Sequence, residues 1–121
     1  MARIRTIKPE FWTSEQITSC SRDARLLFIG MWNFSDDSGV HPASIQRLRM
    51  EVFPGDDITL EIIRGLVREL VHAGLIEEYD VEGKVYWRIT GFTAHQKIDQ
   101  PTFRHPLPDG NVPKNRRRGS E

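Results

Sequence analysis

The stretch GLIEEYDVEGKVYWRI, residues 74–89, decides the fold, because it is typical of a tight β-hairpin that directly follows a helix. Gly74 is a helix stop, and a two-residue turn at Glu82-Gly83 lets the flanking runs pair. The hairpin then gains an ion pair, an aromatic pair and aliphatic contacts. The predicted cross-strand pairs are Ile76–Ile89, Glu78–Trp87 and Asp80–Val85 on one face, and Glu77–Arg88, Tyr79–Tyr86 and Val81–Lys84 on the other.

This hairpin is strongly acidic. A phosphate backbone would repel it, so we do not expect it to be a strong DNA contact, although Lys84 could touch phosphate. The face that carries Tyr79, Val81 and Tyr86 would suit a protein partner or a second copy of the chain. The alternative is that the tail or the N-terminal arm covers this face. The acidic side chains are Glu77, Glu78, Asp80 and Glu82, against Lys84 and Arg88.

Three helical patterns and a short strand precede the hairpin. Ser21 and Thr59 are candidate N-caps, and Val40–Pro42 leaves room for a two- or three-residue strand. The order helix, strand, helix, helix, strand, strand predicts an α+β fold of the winged helix-turn-helix type. The predicted inward faces are Ala24, Leu27, Phe28 and Met31 in the first helix, Ile45, Leu48, Val52 and Phe53 in the second, and Ile63, Leu66, Val67 and Leu70 in the third.

The chain of 121 residues has the length of one domain. We expect residues 1–100 to form the winged-helix domain with an N-terminal arm. Residues 101–121 combine prolines, few large apolar residues and a basic end, which predicts a disordered tail. No window is apolar enough to span a membrane and no signal-peptide pattern opens the chain, so we expect a cytoplasmic protein.

Enzyme signals are weak throughout the chain. The four histidines lie far apart, Cys20 is the only cysteine, and no glycine-rich loop could hold a phosphate. The acidic pairs Asp36-Asp37 and Asp56-Asp57 sit in turn or cap contexts. We therefore expect no catalytic activity, no metal and no cofactor.

Two arginines on the third helix are the strongest candidates for nucleic-acid binding. Arg64 and Arg68 are four residues apart, opposite the predicted buried face, and His72 continues the same stripe. A guanidinium suits either a guanine edge or a phosphate. The alternative is an ordinary solvated face, on which these arginines form weak ion pairs with Glu61 and Glu69.

Other basic residues could hold phosphates. The net charge is zero, with 17 basic and 17 acidic residues, but both ends of the chain are basic. Mobile basic arms add salt-sensitive, non-specific affinity for DNA. The candidates are Arg3, Arg5 and Lys8 in the arm, Arg47 and Arg49 in the second helix, and Arg116, Arg117 and Arg118 in the tail.

Five segments in order resemble the N-terminal domain of phage and prophage replisome-organiser proteins, which are related to the winged-helix domain of DnaD-like primosomal proteins. The resemblance covers about residues 1–101. The segments are MARIRTIKPEFWTSEQI (1–17), ARLLFIGMWNFSDDSG (24–39), VFPGDD (52–57), GLIEEYDVEGKVYWRITGF (74–92) and HQKIDQP (95–101).

The resemblance implies a winged helix that binds double-stranded DNA at a replication origin, or that assembles with itself there. In this family a further C-terminal region commonly recruits helicase components, and we expect only the DNA-binding or self-association half of the family's role to carry over to this sequence. A non-catalytic DNA-binding protein acting at an origin or operator, as a homodimer, is the first hypothesis. The second is a protein-binding phage module, which self-assembles or inhibits a host nucleic-acid machine, for example as an anti-defence inhibitor, without touching DNA. A replication protein or a host-machinery protein would then be its partner.

Overall fold

The computed structural model describes residues 2–114, which form a mixed α+β fold with five α-helices and a three-stranded antiparallel sheet. The predicted order helix, strand, helix, helix, strand, strand is confirmed from α2 to β3. None of the helices in this range combines the length and apolar content that a membrane span needs. The elements are a 3-10 turn at Pro9–Thr13, then α1 Glu15–Thr18, α2 Arg22–Phe34, β1 Val40–Pro42, α3 Ile45–Val52, α4 Leu60–His72, β2 Ile76–Val81, β3 Lys84–Ile89 and α5 Phe92–His95.

Side-chain caps fix where the longer helices begin. The Ser21 hydroxyl accepts a hydrogen bond from the Ala24 N–H, and the Thr59 hydroxyl does the same for Ile62, as both cap predictions require. Ser44 caps α3 in the same way. The backbone of Gly74 has a φ of +76°, which ends α4 in the left-handed conformation that glycine adopts without strain.

The hydrophobic core lies between α2, α3, α4 and the base of the sheet. All four predicted residues of α2 and all four of α4 are buried. In the second predicted helix Leu48 and Phe53 are buried, while Ile45 and Val52 are only partly covered. The sheet closes the core with three buried residues, Ile76, Trp87 and Ile89.

The hairpin forms with the predicted register. All six cross-strand pairs between β2 and β3 are present, and β3 is the central strand of the order β1-β3-β2. Glu82 and Gly83 both have positive φ angles, as a two-residue hairpin turn requires. The ion pair joins Arg88 Nη1 to Glu77 Oε1 at 3.6 Å, and the Tyr79 and Tyr86 rings stack at 5.9 Å.

The loop between α2 and β1 is held by the buried carboxylate of Asp36. One of its oxygens, Oδ1, accepts hydrogen bonds from the backbone N–H groups of Ser38 and Val40, which is the turn role that the sequence predicts. The other oxygen, Oδ2, accepts from the N–H groups of Arg104 and His105, far along the chain. The same carboxylate therefore shapes its own turn and anchors a distant segment.

The neighbouring carboxylate of Asp37 holds the N-terminal arm. Arg3 Nη1 donates to Asp37 Oδ2 at 2.7 Å, and Arg5 Nη1 donates to Asp37 Oδ1 at 2.8 Å. Arg5 also donates to the carbonyl oxygens of Trp32 and Ser35. Its side chain is only 2% exposed. The arm is thereby fixed to the body of the domain.

Residues 101–113 run back over the domain, and we call them the C-terminal strap. The Thr102 N–H donates to Asp37 Oδ2 at 2.7 Å, and the Tyr79 hydroxyl donates to the Pro106 carbonyl at 2.7 Å. These contacts correct the prediction of a disordered tail for residues 101–113. The strap is held by hydrogen bonds from its backbone N–H groups to buried carboxylates. Its sequence, which is poor in large apolar residues, gives no indication of these bonds. Residues 115–121 lie outside the described part of the chain.

Candidate nucleic-acid interface

A groove of about 600 Å³ opens between α4, the beginning of α3 and the hairpin. The side chain of Ser44 caps α3 at one end of this groove, and the buried ring of Trp87 lies at its sheet side. Polar and apolar side chains alternate around it. The lining residues are Ala43, Ser44, Ile45, Gln46, Leu60, Arg64, Val67, Arg68, Glu78, Val85 and Trp87.

Arg64 and Arg68 lie one turn apart on α4 and both line the groove. Both side chains are exposed, and within residues 2–114 neither makes a hydrogen bond or an ion pair. The weak pairs to Glu61 and Glu69 that the alternative requires are not formed in this range. Glu69 instead accepts hydrogen bonds from the N–H and hydroxyl of Ser21. Both guanidiniums are thus available to a ligand.

The other basic residues of the helices lie outside the groove lining. His72 is exposed in the last turn of α4, and Arg49 is exposed in the last turn of α3. Arg47 Nε contacts Glu51 Oε2 at 3.2 Å, with about half of the arginine side chain exposed. These residues extend the basic surface only weakly, because Glu51 offsets the charge of Arg47.

Two of the three basic residues of the arm that we predict to contact phosphates, Arg3 and Arg5, are engaged inside the domain. Arg3 and Arg5 share the buried carboxylate of Asp37, so releasing either of them would leave that carboxylate poorly compensated. Lys8 is exposed, and its Nζ lies 3.4 Å from Nδ1 of His95, away from the groove. The role predicted for Arg3 and Arg5 is therefore corrected from DNA contact to internal ion pairing.

Four further residues are predicted to contact phosphates, one beside the hairpin turn and three in the tail. Lys84 is exposed at the start of β3, beside the turn, and does not line the groove. Arg116, Arg117 and Arg118 lie outside the described residues. The groove itself thus draws its positive charge from α4.

The acids of the hairpin are not equivalent. Glu77 faces Arg88, and Asp80 Oδ1 accepts a hydrogen bond from the Gly83 N–H within the turn. Glu82 is exposed in the turn itself. Glu78 alone among these acids lines the groove, where its Oε1 accepts a hydrogen bond from Trp87 Nε1 at 2.8 Å. The hairpin therefore contributes one carboxylate, that of Glu78, to the lining of the groove.

The strap covers the hairpin face that the sequence offers as a protein interface. Tyr79 and Tyr86 are half-buried, the Tyr86 ring lies 5.9 Å from the His105 ring, and Gly110 lies against Val81. Burial raises the pKa of the Tyr79 hydroxyl, which stays protonated and donates to the strap. The expectation of an open interface at Tyr79, Val81 and Tyr86 is corrected, and the alternative of cover by the tail is confirmed.

Sequence reasoning missed the three polar lining residues other than Arg64 and Arg68, which are Ser44, Gln46 and Glu78. Ser44 and Gln46 belong to the first turn of α3, whose distance from α4 follows only from the packed fold. Glu78 belongs to the predicted hairpin, and its pairing with Trp87 in the register was the available signal. A side chain opposite a buried tryptophan lies on the inner side of the hairpin, and that side adjoins α4.

Among residues 2–114, no three His, Cys, Asp or Glu side chains come close enough to hold a metal ion. Comparison of the chain with family models, with curated proteins and with solved structures finds no match. Function is therefore argued from the residues and geometry of this molecule.

Proposed function

We propose that this chain is a non-catalytic protein that binds double-stranded DNA through a winged helix-turn-helix domain of the phage replisome-organiser type. Its site of action would be a replication origin or an operator. The order of elements and the sequence resemblance support this family. In such a domain α3 and α4 form the helix-turn-helix, α4 enters the major groove, and the β2–β3 hairpin takes the position of the wing.

The observation that carries the proposal is the pair of exposed guanidiniums of Arg64 and Arg68 beside an open groove, which have no ion-pair partner among residues 2–114. Holding two like charges next to each other is unfavourable unless an anion or a base edge meets them. Guanine presents two acceptors in the major groove, O6 and N7, that match one guanidinium. A phosphate oxygen is the other partner that this geometry suits.

The contact is expected to be small and modestly salt-dependent. The arm arginines are used internally, Arg88 of the hairpin faces Glu77, and Lys84 lies next to several acids. Each neutralised phosphate contributes about −0.9 to the slope of log K against log salt. A chain that relies on a few cations should therefore show a shallower slope than a strongly basic DNA-binding protein.

A salt titration of duplex binding tests the proposal. The double variant Arg64→Ala/Arg68→Ala should weaken binding at low salt and reduce the slope by up to about 2, since each lost phosphate contact reduces it by about 1. The matched control is Arg22→Ala/Arg104→Ala, which removes the same charge from two exposed positions outside the groove. The proposal fails if the two double variants behave alike, or if the wild-type chain does not bind duplex at low salt.

A second candidate is a protein-binding module that acts on a replication protein or a host nucleic-acid machine. The observation in its favour is the mixed charge of the groove, where Glu78 lies with Arg64 and Arg68, together with a net charge of zero. A peptide with alternating charge would suit that lining. A folded wild-type chain that does not bind duplex DNA at low salt would favour this candidate.

Self-association is part of both candidates. A homodimer would place two copies of α4 one helical turn of DNA apart and would read a palindromic site. Because the strap covers Tyr79 and Tyr86, we propose that any dimer contact uses another surface. The mass of the chain in solution, with and without a palindromic duplex, tests this.

A further inference from the structure

We infer that Glu78 is a specificity-determining residue, which accepts a hydrogen bond from the exocyclic amino group of a cytosine next to the bases contacted by Arg64 and Arg68. This inference rests on the proposed function. It gives a role to the carboxylate of Glu78 on a surface that the proposed function places against phosphates. A carboxylate in such a surface is repelled by the backbone and is compensated only where it meets an N–H donor.

The position of Glu78 is fixed by a buried neighbour. Trp87 is 3% exposed, and its Nε1–H donates to Glu78 Oε1 at 2.8 Å. Glu78 Oε2 accepts no hydrogen bond from any residue in the range 2–114, and the side chain itself is exposed. One oxygen is thus anchored, while the other is free to accept from a ligand in the groove.

The remaining acids of the hairpin do not share this arrangement. Glu77 is engaged by Arg88, and Asp80 is engaged within the turn. Glu82 is exposed in the turn and does not line the groove. A general acidic surface would not distinguish these positions, whereas a base contact needs the one hairpin carboxylate that lines the same groove as Arg64 and Arg68.

The chemistry of the groove then selects a class of DNA site. In the major groove a guanidinium matches guanine O6 and N7, and a carboxylate matches the N4 amino group of cytosine. With two arginines and one glutamate on the same groove, the best ligand is duplex DNA that presents guanine and cytosine at neighbouring positions. Gln46, on α3, also lines the groove and would match adenine.

Selection from a random duplex pool tests the inference, with wild type, Glu78→Gln and Glu82→Gln compared. The wild-type chain should enrich sites that combine guanine with a neighbouring cytosine. Glu78→Gln should lower the preference for that cytosine about tenfold, since a good base contact discriminates by about that factor or more. Glu82→Gln removes the same charge from the turn and should leave the preference unchanged.

Three other outcomes would contradict the inference. If wild type enriches no duplex and binds none at low salt, the proposed function fails and the inference fails with it. If wild type binds duplex and Glu78→Gln keeps the cytosine preference, the inference alone is overturned. The inference is overturned as well if Glu78→Gln tightens binding to all sequences equally, because Glu78 would then act only by repulsion.

Trp87 is a positioning residue in this account. Trp87→Phe keeps an aromatic ring but removes the Nε1–H that holds Glu78 Oε1. It should relax the cytosine preference in the same direction as Glu78→Gln, while the salt slope that depends on Arg64 and Arg68 is retained. An unchanged base preference in a folded Trp87→Phe chain would contradict the positioning role.

Discussion

At the scale of single residues, Asp37 joins both ends of the described chain to the domain. Its buried carboxylate accepts hydrogen bonds from Arg3, Arg5 and the backbone N–H of Thr102. Neutralising it leaves the guanidinium of Arg5, which is 2% exposed, without its compensating charge. Asp37 is thus the residue on which the arm and the strap depend together.

Asp37→Asn should therefore lower the free energy of unfolding by about 3 kcal/mol or more, the usual consequence of breaking a buried ion pair from one side. Asp57→Asn, at an exposed position, should change it by about 0.5 kcal/mol at most. Urea unfolding followed by tryptophan fluorescence measures both. Equal effects of the two variants would show that Asp37 does not hold the arm.

A second residue, His105, should make the strap sensitive to pH. Burial lowers the pKa of His105 from its usual 6.5, against the smaller opposing effect of Asp36, while His41 and Arg47 act in the same direction as burial. The folded chain then binds fewer protons at this residue than the unfolded chain does. The stability that the neutral ring contributes is present above the ordinary pKa and is lost as the pH falls through the lowered value.

The expected result is that wild type loses more stability than His105→Gln between about pH 7.5 and about pH 5. Urea unfolding at several pH values measures the difference, and the carboxylate effects common to both chains cancel. Parallel stability curves for the two chains would contradict the role of His105.

The contacts of Asp36 and Asp37 also show which interactions the sequence predicts and which it does not. The turn role of Asp36 follows from its local SDDSG context, because an Asp side chain accepts hydrogen bonds from backbone groups a few residues on. Its bonds to Arg104 and His105, and the pairing of Asp37 with Arg3 and Arg5, join positions more than 30 residues apart. No local pattern encodes such partners, so the sequence predicts phosphate contacts for the arm and disorder for the strap.

At the scale of elements, the hairpin is the part that the sequence predicts best. Its turn residues and alternating faces fix the register within one stretch of chain, and a slip by one residue would move Trp87 out of the core. The helices follow in the same way from caps and apolar spacing. The groove does not, because it depends on how α3, α4 and the hairpin pack together.

The contact between α2 and α3 gives an element-scale prediction. A Cβ at Gly30 would lie 2.7 Å from both methyl carbons of Val52, a side chain with little rotamer freedom. Gly30→Ala should push the two helices apart and cost about 1–3 kcal/mol. Gly65, in α4, has nothing within 4 Å of its Cβ position, so Gly65→Ala should stabilise the chain by about 0.5–1 kcal/mol.

Thermal unfolding of the two alanine variants measures this contrast. Gly30→Ala should melt below wild type and Gly65→Ala above it. A gain in melting temperature for Gly30→Ala would mean that α2 and α3 do not approach as closely as described.

At the scale of the whole molecule, the strap changes the expectation for assembly. The exposed aromatic face predicted from the hairpin is covered within the same chain by residues 105–110. Tyr79→Asp should consequently reduce stability, because it removes the hydrogen bond to Pro106, and leave the mass in solution unchanged. Light scattering measures the mass, and dissociation of an assembly by Tyr79→Asp would show that this face is a contact between copies.

The proposed function and the role of Glu78 depend on one surface, the groove lined by Arg64, Arg68, Glu78 and the start of α3. The most direct test is to map backbone amide shifts by NMR while a G·C-containing duplex of about 15 base pairs is added at low salt. We predict that the changes concentrate at residues 44–47, residues 60–68 and Glu78, and spare the strap. Changes confined to the strap and the outer hairpin face, or no changes at all, would contradict the account.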